Sequence, residues 1–318
     1  MKVFLSKYEL KKSGTLNAKD SEGVRLGTLI KVVDTEDAWG VADLSPWPNL
    51  GDLKLDQELQ QQGLLFQRAI HLAKQDLEGR RNKKSLLYDR WVENNFLIAD
   101  FTSFDFKTQF QGVVKIKGKP EISKLHNFLN KFTLSSPEAR LRIDFNESLS
   151  ESQMDEFLKP LSEEVLKKIE YIEDPTPWSY SAWKNWNQKI PLAVDFVNFG
   201  DPFRFLDAWS VLIIKPTRQN TRDLIAKCRA TKKTFTLTSA MDHPVGLAHG
   251  LRLAQELSEN VSGFLTLNLY EEIGFNKFFE TNGNKLNFSA LALDDVGIGM
   301  TDKLNSLQWD RYEPSISF

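Results

Sequence analysis

After about residue 95 the chain alternates short, continuously apolar segments with longer amphipathic ones. The apolar segments predict eight strands, at residues 95–100, 112–117, 141–145, 171–173, 192–195, 211–215, 234–238 and 264–269. The spacing of apolar residues predicts helices between several of them, as at 154–170, 221–232 and 249–257. Strands in which apolar and polar residues do not alternate are buried on both faces, which is typical of a parallel sheet with right-handed crossovers. This part of the chain therefore predicts a (β/α) barrel.

The first 90 residues or so have a different pattern. Residues 3–5 and 27–33 predict strands, and the polar stretch Lys11 to Glu22 between them predicts a mobile loop. Residues 55–77 predict one long amphipathic helix. The predicted fold class is α/β, a modified TIM (β/α) barrel with an N-terminal α+β capping domain. The capping domain spans 1–92 together with a returning C-terminal segment, 286–318, and the catalytic barrel spans 93–285.

Composition narrows the class of protein. The 318 residues are 41% hydrophobic and 26% charged, which is typical of a soluble globular protein. A net charge of −2 gives no reason to expect a nucleic-acid or membrane partner. The single cysteine, Cys228, excludes an internal disulfide, and the early charges of the N-terminus do not fit a signal peptide. We expect a reduced, cytoplasmic protein, a monomer or weak homo-oligomer, whose small-molecule carboxylate substrate is indicated only by charged residues at the strand ends.

Five charged residues each end a predicted strand: Lys117, Asp144, Glu173, Asp195 and Lys215. Successive members lie roughly 20 to 30 residues apart, about one strand plus one helix. The carboxyl ends of the strands of a parallel barrel converge on one pocket, so these side chains should meet there. Contact with solvent explains one strand-end charge, but not five of these types in this order.

The three carboxylates predict a metal site. Asp144, Glu173 and Asp195 supply hard oxygen ligands, and without a cation they would repel one another. Ligation by oxygen alone favours Mg²⁺, or Mn²⁺, over zinc. A six-coordinate Mg²⁺ keeps positions for water and for the oxygens of a substrate carboxylate.

The two lysines fit proton transfer beside that carboxylate. An amine that is desolvated among cationic neighbours can act as a general base, and we assign this role to Lys117. Lys215, as a cation, would stabilise the negative charge that develops when the proton leaves. Lys115 shares a strand face with Lys117 and lies one layer deeper, where it should pair with a carboxylate.

These residues resemble motifs of the enolase superfamily, in its muconate-lactonizing branch. Within that branch the chain is most similar to the o-succinylbenzoate synthase family. The similarity is carried by Arg142-Ile143-Asp144, by Ile172 to Pro175, by Val211 to Thr217, and by Gly40 to Pro48 in the N-terminal part. It covers nearly the whole chain.

The resemblance implies a Mg²⁺-dependent dehydratase of menaquinone biosynthesis. Its substrate is 2-succinyl-6-hydroxy-2,4-cyclohexadiene-1-carboxylate, and its products are 2-succinylbenzoate and water. Lys117 would remove the ring proton and then help the hydroxyl to leave, while Lys215 remains a cation. The loops 11–22 and 45–53 should cap the pocket.

Several flanking residues are candidates for substrate or second-shell contacts: Lys115, Arg142, Asn146, Thr238 and Ser239. Thr238 and Ser239 would hold the succinyl carboxylate. The chain departs from the family pattern at Phe196-Val197, where many relatives have Glu-Ser, at Ala240 to Asp242, and at Asp43, which replaces a Glu.

Two other functions use the same residues differently. An N-acylamino acid racemase or dipeptide epimerase would place Lys117 and Lys215 on opposite faces of one carbon. Dipeptide epimerases often carry Asp-x-Asp on strand eight, where this chain has Leu267-Asn268-Leu269, which counts against that alternative. A non-catalytic barrel that only binds ligands is a remote third reading.

Overall fold

The computed structural model describes residues 1–13, 23–195 and 200–313. The N-terminal part combines an antiparallel sheet with two helices. Its elements are β1 (Lys2–Lys11), β2 (Val24–Val33), β3 (Trp39–Leu44), α1 (Leu55–Gln61) and α2 (Leu64–Arg81). α2 packs on the sheet through apolar side chains such as Leu72 and Ala73, which are 1% and 0% exposed. This gives the N-terminal part its own hydrophobic core.

Both N-terminal strands are longer than their apolar runs. β1 and β2 pair along ten residues in antiparallel register, so backbone hydrogen bonds carry the strands past the apolar positions. The predicted helix over 55–77 was wrong as a single element. Gln62 adopts a left-handed conformation with φ 49° and separates α1 from α2. Of the predicted mobile loop, residues 14–22 lie outside the described part of the chain.

Seven parallel strands of the described chain form one curved sheet, in the order of the sequence. They are β5 (Phe96–Ile98), β6 (Gly112–Lys117), β7 (Ala139–Asp144), β8 (Ile169–Glu173), β9 (Leu192–Val194), β10 (Val211–Ile214) and β11 (Thr234–Leu237). The helices between and after them are α3 (Ile122–Ser135), α4 (Glu151–Leu158), α5 (Glu163–Lys168), α6 (Tyr180–Asn187), α7 (Thr221–Ala230) and α8 (Pro244–Leu257). The predicted modified barrel with an N-terminal α+β domain is confirmed.

Two barrel elements differ from the prediction. The helix predicted over 154–170 is divided into α4 and α5, because Pro160 lies between them and cannot donate a helical hydrogen bond. In the described chain the strand predicted over 264–269 is also absent, and residues 267–269 form a 3₁₀ turn instead. The Phe264 N–H donates to the Asn94 side chain over 2.7 Å, so it is not free to extend a strand ladder.

Short bridges close the barrel where an eighth strand was expected. Ser262 pairs with Asn94, just before β5, and Gly263 pairs with Thr238, just after β11. The Gly263 N–H donates to the Leu237 carbonyl over 3.0 Å, and the Ser262 N–H donates to the Glu93 carbonyl over 2.8 Å. One short segment therefore joins both edges of the seven-stranded sheet.

The remaining elements bring the C-terminal part of the chain back to the N-terminal sheet. They are β4 (Val92–Glu93), β12 (Phe279–Asn282), β13 (Lys285–Phe288), α9 (Ala290–Leu293), α10 (Thr301–Asn305) and β14 (Asp310–Arg311). β13 pairs with β4, and β14 pairs with β1. The predicted domain limits at 92/93 and 285/286 stay a prediction.

Barrel side chains divide into an outer and an inner set. Outward residues such as Ile116, Ile143 and Ile172 are fully buried in the main core. A small apolar cluster, formed by Tyr171, Ala193, Val211 and Ile213, is separate from that core. Tyr171 precedes Glu173 by two positions, so it lies on the same strand face one layer beneath the strand end. Within the described residues, no helix has the length and hydrophobicity to cross a membrane.

Candidate active site

Strand register brings the predicted residues to one level of the barrel. Lys117 is paired with Asp144 between β6 and β7, and Asp144 is paired with Glu173 between β7 and β8. Glu173 is paired with Ala193, and Asp195 follows two residues later on the same side. Lys215 comes directly after β10. All five charges therefore lie at the carboxyl end of the barrel.

Lys115 and Lys117 both contact Asp144. The Lys117 Nζ lies 2.6 Å and the Lys115 Nζ 2.8 Å from the Asp144 Oδ2. The Lys115 ammonium also donates to both carboxylate oxygens of Glu173 over 2.8 Å. Asp144 and Glu173 are each 2% exposed, so this network is shielded from water. Lys115 thus lies between two carboxylates, one layer beneath Lys117.

Lys215 and Asp195 form a second ion pair. The Lys215 Nζ donates to the Asp195 Oδ2 over 2.5 Å, and both side chains are about one-fifth exposed, at 20% and 18%. The other carboxylate oxygen, Asp195 Oδ1, is buried and has no hydrogen-bond partner among the described residues. The Asp195 N–H donates to the Asp174 Oδ1 over 3.2 Å, which connects this pair to the strand end of β8.

Asp174 is a member of the site that the sequence analysis did not select. It follows Glu173 directly, is 6% exposed, and has a left-handed backbone with φ 39°. Burial raises the pKa of Asp174 well above its usual range, and the charges of Asp195, Glu173 and Asp144 add to this. The acidic pair Glu173-Asp174 at a strand end is the signal that could have identified it.

Neighbouring charges move the pKa values of this cluster in opposite directions. Burial, followed by the charge of Asp144, raises the pKa of Glu173 to about 7. Burial alone would also raise the pKa of Asp144, but the charges of Lys115 and Lys117 outweigh it and hold that pKa well below its usual range. Burial opposes the charge of Lys115, yet Asp144 and Glu173 together raise its pKa well above normal. Asp144 has two ammonium partners and Glu173 has one, which accounts for the difference.

The donor set has the chemistry of a site for a hard divalent cation, and its carboxylates are paired with lysines in this structure. Among the described residues, no three His, Cys, Asp or Glu side chains are arranged so that they could coordinate one metal ion. The carboxylates form ion pairs with lysines instead. The chemistry nevertheless matches. The donors are oxygens, the buried Asp195 Oδ1 is unpartnered in the described chain, and burial together with the charge of Asp144 raises the pKa of Glu173.

Arg142 and Asn146 flank Asp144. The Arg142 guanidinium is 2% exposed, donates from Nε to the Glu170 Oε2 over 2.7 Å, and stacks at 5.0 Å on the Tyr171 ring. It therefore lies beneath the strand ends. The backbone N–H of Asn146 donates to the Asp144 Oδ1 over 3.0 Å and fixes that carboxylate. The substrate or second-shell roles assigned to both side chains stay predictions.

The loop after β11 is held by its own polar groups. The Ser239 Oγ donates to the Asp242 Oδ2 over 3.2 Å and accepts from the Met241 N–H over 2.9 Å. The Thr238 N–H donates to the Ile214 carbonyl over 3.0 Å, which places Thr238 beside the end of β10. The structure thus gives Ser239 a role within its loop, and the assignment of both residues to the succinyl carboxylate stays a prediction.

The N-terminal part reaches this loop through Arg25 and Trp47. The Arg25 guanidinium is 5% exposed and donates to the carbonyls of Ala240, Met241 and Ser45. The Trp47 Nε1 donates to the Ala240 carbonyl over 3.2 Å, and the Arg25 guanidinium lies 4.1 Å from the Trp47 ring. Trp47 is in the predicted capping loop 45–53. Phe196 and Val197, by contrast, lie outside the described residues.

Known proteins resemble the chain in both sequence and fold. Residues 3–79 match the family described as O-succinylbenzoate synthase, N-terminal domain. An o-succinylbenzoate synthase of Bdellovibrio bacteriovorus is 30% identical, in an alignment that covers 97% of this chain and 98% of that protein.

Two solved structures share the fold at low sequence identity. The L-Ala-D/L-Glu epimerase of Bacillus subtilis has a TM-score of 0.77 at 13% identity, over 94% of this chain and 98% of that one. A dipeptide epimerase of Cytophaga hutchinsonii, complexed with Mg and D-Ala-L-Val, has a TM-score of 0.75 at 14% identity, over 98% and 99%. The full-length sequence relative decides the family: the chain belongs to the o-succinylbenzoate synthase family.

Proposed function

We propose that this protein is a divalent-metal-dependent dehydratase that converts 2-succinyl-6-hydroxy-2,4-cyclohexadiene-1-carboxylate to 2-succinylbenzoate and water, a step of menaquinone biosynthesis. The observation that carries the proposal is the pairing of three lysines with three strand-end carboxylates at the carboxyl end of the barrel: Lys117 with Asp144, Lys115 with Asp144 and Glu173, and Lys215 with Asp195. The full-length similarity to an o-succinylbenzoate synthase supports the choice of reaction.

Asp144, Glu173 and Asp195 are the residues that would hold the metal, and Mg²⁺ is favoured, with Mn²⁺ as the alternative. A bound divalent ion supplies positive charge where the ionised substrate carboxylate gathers negative charge. Mg accompanies the Cytophaga hutchinsonii epimerase, which shares the fold. Lys115 would neutralise the two inner carboxylates from beneath.

Lys117 would carry both proton transfers. In its neutral form it takes the ring proton next to the substrate carboxylate, and the C–H electron pair moves into the ring. The ring then expels the hydroxyl group at the neighbouring carbon, and Lys117 returns the proton so that the group leaves as water. Lys215 keeps its charge and stabilises the negative charge that develops meanwhile. The aromatic product makes the overall step favourable.

A racemase or epimerase remains the second candidate, because Lys117 and Lys215 stand on different strands and contact different carboxylates. Two lysines on two sides of a site suit the removal of a proton from one face of a carbon and its return to the other. Dipeptide epimerases often carry Asp-x-Asp where this chain has Leu267-Asn268-Leu269, and the lack of those two carboxylates opposes a dipeptide substrate.

The deciding experiment uses the purified chain with Mg²⁺ and the cyclohexadiene substrate, and follows aromatisation by ultraviolet absorbance. We expect turnover that a chelator abolishes and added Mg²⁺ restores. Asp144→Asn should remove this activity while the melting temperature shows that the protein is still folded. Racemisation of N-succinylamino acids or dipeptides without any aromatisation would refute the dehydratase.

A further inference from the structure

An ion pair connects the N-terminal part to the segment that follows Lys215. The Arg218 Nη2 lies 2.5 Å and 2.7 Å from the two carboxylate oxygens of Asp52. The two side chains are only 16% and 13% exposed. Asp52 belongs to the loop 45–53, and Arg218 follows Lys215 by three residues. We call the Asp52–Arg218 ion pair the rim latch.

Each end of the rim latch is fixed to its own segment. The Asp52 Oδ2 accepts the Trp47 N–H over 2.6 Å, and the Gly51 N–H donates to the Pro48 carbonyl over 3.0 Å, so the carboxylate belongs to a tight turn. On the barrel side the Arg218 N–H donates to the Lys215 carbonyl over 2.9 Å. The Asp52 carboxylate is therefore connected to the Lys215 backbone through short, hydrogen-bonded steps.

Further contacts hold the segment 215–219. The Arg68 Nε, on α2, donates to the Pro216 carbonyl over 2.9 Å, which is a second contact from the N-terminal part. The Gln219 Oε1 accepts the Lys215 N–H over 2.8 Å. The Arg68 contact and the rim latch together reach both sides of Thr217. The β10 strand ends at Ile214, so these contacts position the Lys215 backbone beyond the sheet.

We infer that Asp52 is a positioning residue for Lys215. It acts through Arg218, and this inference rests on the proposed function only in giving Lys215 a catalytic role. A catalytic group that is displaced by about 1 Å can lose about 10²-fold in rate, since the reaction needs precise orientation. Among the described residues, loss of the rim latch removes one of the two polar contacts from the N-terminal part to 216–218 that are given above, and it leaves a partly buried guanidinium without its carboxylate partner.

The inference separates positioning from simple coverage of the pocket. If Asp52 positions Lys215, Asp52→Asn should lower kcat by about 10- to 100-fold and leave KM within about twofold. If the loop 45–53 only covers the substrate, KM should rise and kcat should change little, which would overturn the inference. Asp56→Asn is the matched control, because Asp56 is exposed in the first turn of α1 nearby. It should change neither constant.

A double-mutant cycle tests the pair itself. Asp52→Asn and Arg218→Gln should each lower kcat, and the double variant should lose no more than the more severe single variant. Losses that multiply in the double variant would show that the two residues act independently and would overturn the rim latch. Melting temperatures of all variants confirm that each protein is folded.

Hydrogen–deuterium exchange gives a readout that needs no substrate and no metal. Backbone amides of peptides covering 215–219 should exchange about tenfold faster in Asp52→Asn than in the wild type, and peptides of α8 should not change. Unchanged exchange in 215–219 would overturn the inference, whatever the activity. Wild-type protein that fails to aromatise the cyclohexadiene would refute the proposed function, and the exchange result would still decide the rim latch.

Discussion

Lys117 and Lys119 differ in what surrounds them, although both project from the same edge of the barrel. The Lys117 Nζ contacts Asp144, which is 2% exposed, whereas Lys119 pairs with the exposed Asp100 over 2.9 Å. Of these two lysines, Lys117 is the one whose described contacts include a strand-end carboxylate. This contrast within three residues allows the assignment of the base to be tested with an internal control.

Lys117→Ala should lower the dehydration rate by about 10²- to 10⁴-fold, the range expected for loss of a general acid–base group. Lys119→Ala should retain wild-type turnover, because its ion pair is exposed to solvent. The measurement is kcat by ultraviolet absorbance, with circular dichroism to verify folding. Equal activity of Lys117→Ala and wild type would mean that another residue is the base.

Asp43 makes stability depend on pH. Burial, followed by the charge of Asp242, raises the pKa of Asp43 to about 8, while the Tyr8 hydroxyl, Arg25 and the His243 N–H oppose this. The folded carboxyl thus holds its proton at a pH where an unfolded aspartate, with a pKa of about 3.9, has lost it. Folding takes up a proton between about pH 4 and pH 8, so the free energy of unfolding falls as the pH rises across this window.

Asp43→Asn should flatten that pH dependence. Between pH 5 and pH 8 the wild type should lose about 3 to 4 kcal/mol more stability than the variant, since each pH unit over which only the folded carboxyl holds its proton corresponds to about 1.4 kcal/mol. Urea unfolding at several pH values measures the difference. Asp56→Asn should keep the wild-type slope because Asp56 is exposed. A slope in Asp43→Asn equal to that of the wild type would contradict this account.

At the scale of elements, Gly40 sets the approach of β3 to α2. A Cβ at Gly40 would collide with the backbone of Ala73 and Leu77 on α2. Gly40→Ala should therefore destabilise the protein by about 1 to 3 kcal/mol through overpacking. Gly23→Ala is the control, because a Cβ there meets nothing within 4 Å. The melting temperature distinguishes the two, and equal values would show that β3 can shift without cost.

Element prediction worked where local pattern and tertiary packing agree. The strand predicted at 112–117 has the same bounds as β6, because its outward residues Val114 and Ile116 are both fully buried. Pro160, which divides α4 from α5, was visible in the sequence, and Gly63, next to the left-handed Gln62, was a weaker signal of the break between α1 and α2. The apolar run at 264–269 was misleading, because its first backbone N–H is taken by Asn94, a residue 170 positions away.

At the scale of the whole molecule, long-range contacts decide what sequence alone could not. The strand-end charges could be predicted as a site because barrel topology brings strand ends together. The Asp52–Arg218 pair joins residues 166 positions apart, and no periodicity indicates it. The ion pairs of Lys115 and Lys215 likewise depend on the exact register of neighbouring strands. The sequence thus allowed the barrel topology to be predicted, but not which side chains form ion pairs between its segments.

Asp76 holds three distant segments together. Its Oδ2 accepts the Val41 N–H of β3 over 2.8 Å and the Arg80 Nε over 2.9 Å, and its Oδ1 accepts the Ile298 N–H over 2.7 Å. The Arg80 guanidinium in turn donates to the Gly299 carbonyl over 2.8 Å. Asp76 is fully buried. A single carboxylate on α2 thereby fastens the C-terminal segment to the N-terminal sheet.

Asp76→Ala should lower the free energy of unfolding by about 3 to 5 kcal/mol, because it leaves a buried guanidinium and two backbone N–H groups without the carboxylate that accepts their hydrogen bonds. Glu78→Ala on the same helix removes only exposed contacts, to Arg81 and to the Asn82 side chain, and should cost less than about 0.5 kcal/mol. The urea midpoint measures both variants. Limited proteolysis adds a spatial test: only Asp76→Ala should expose cleavage sites around 296–301. If both variants unfolded at the same urea concentration, the C-terminal segment would have to be held by its other contacts, such as the pairing of β14 with β1.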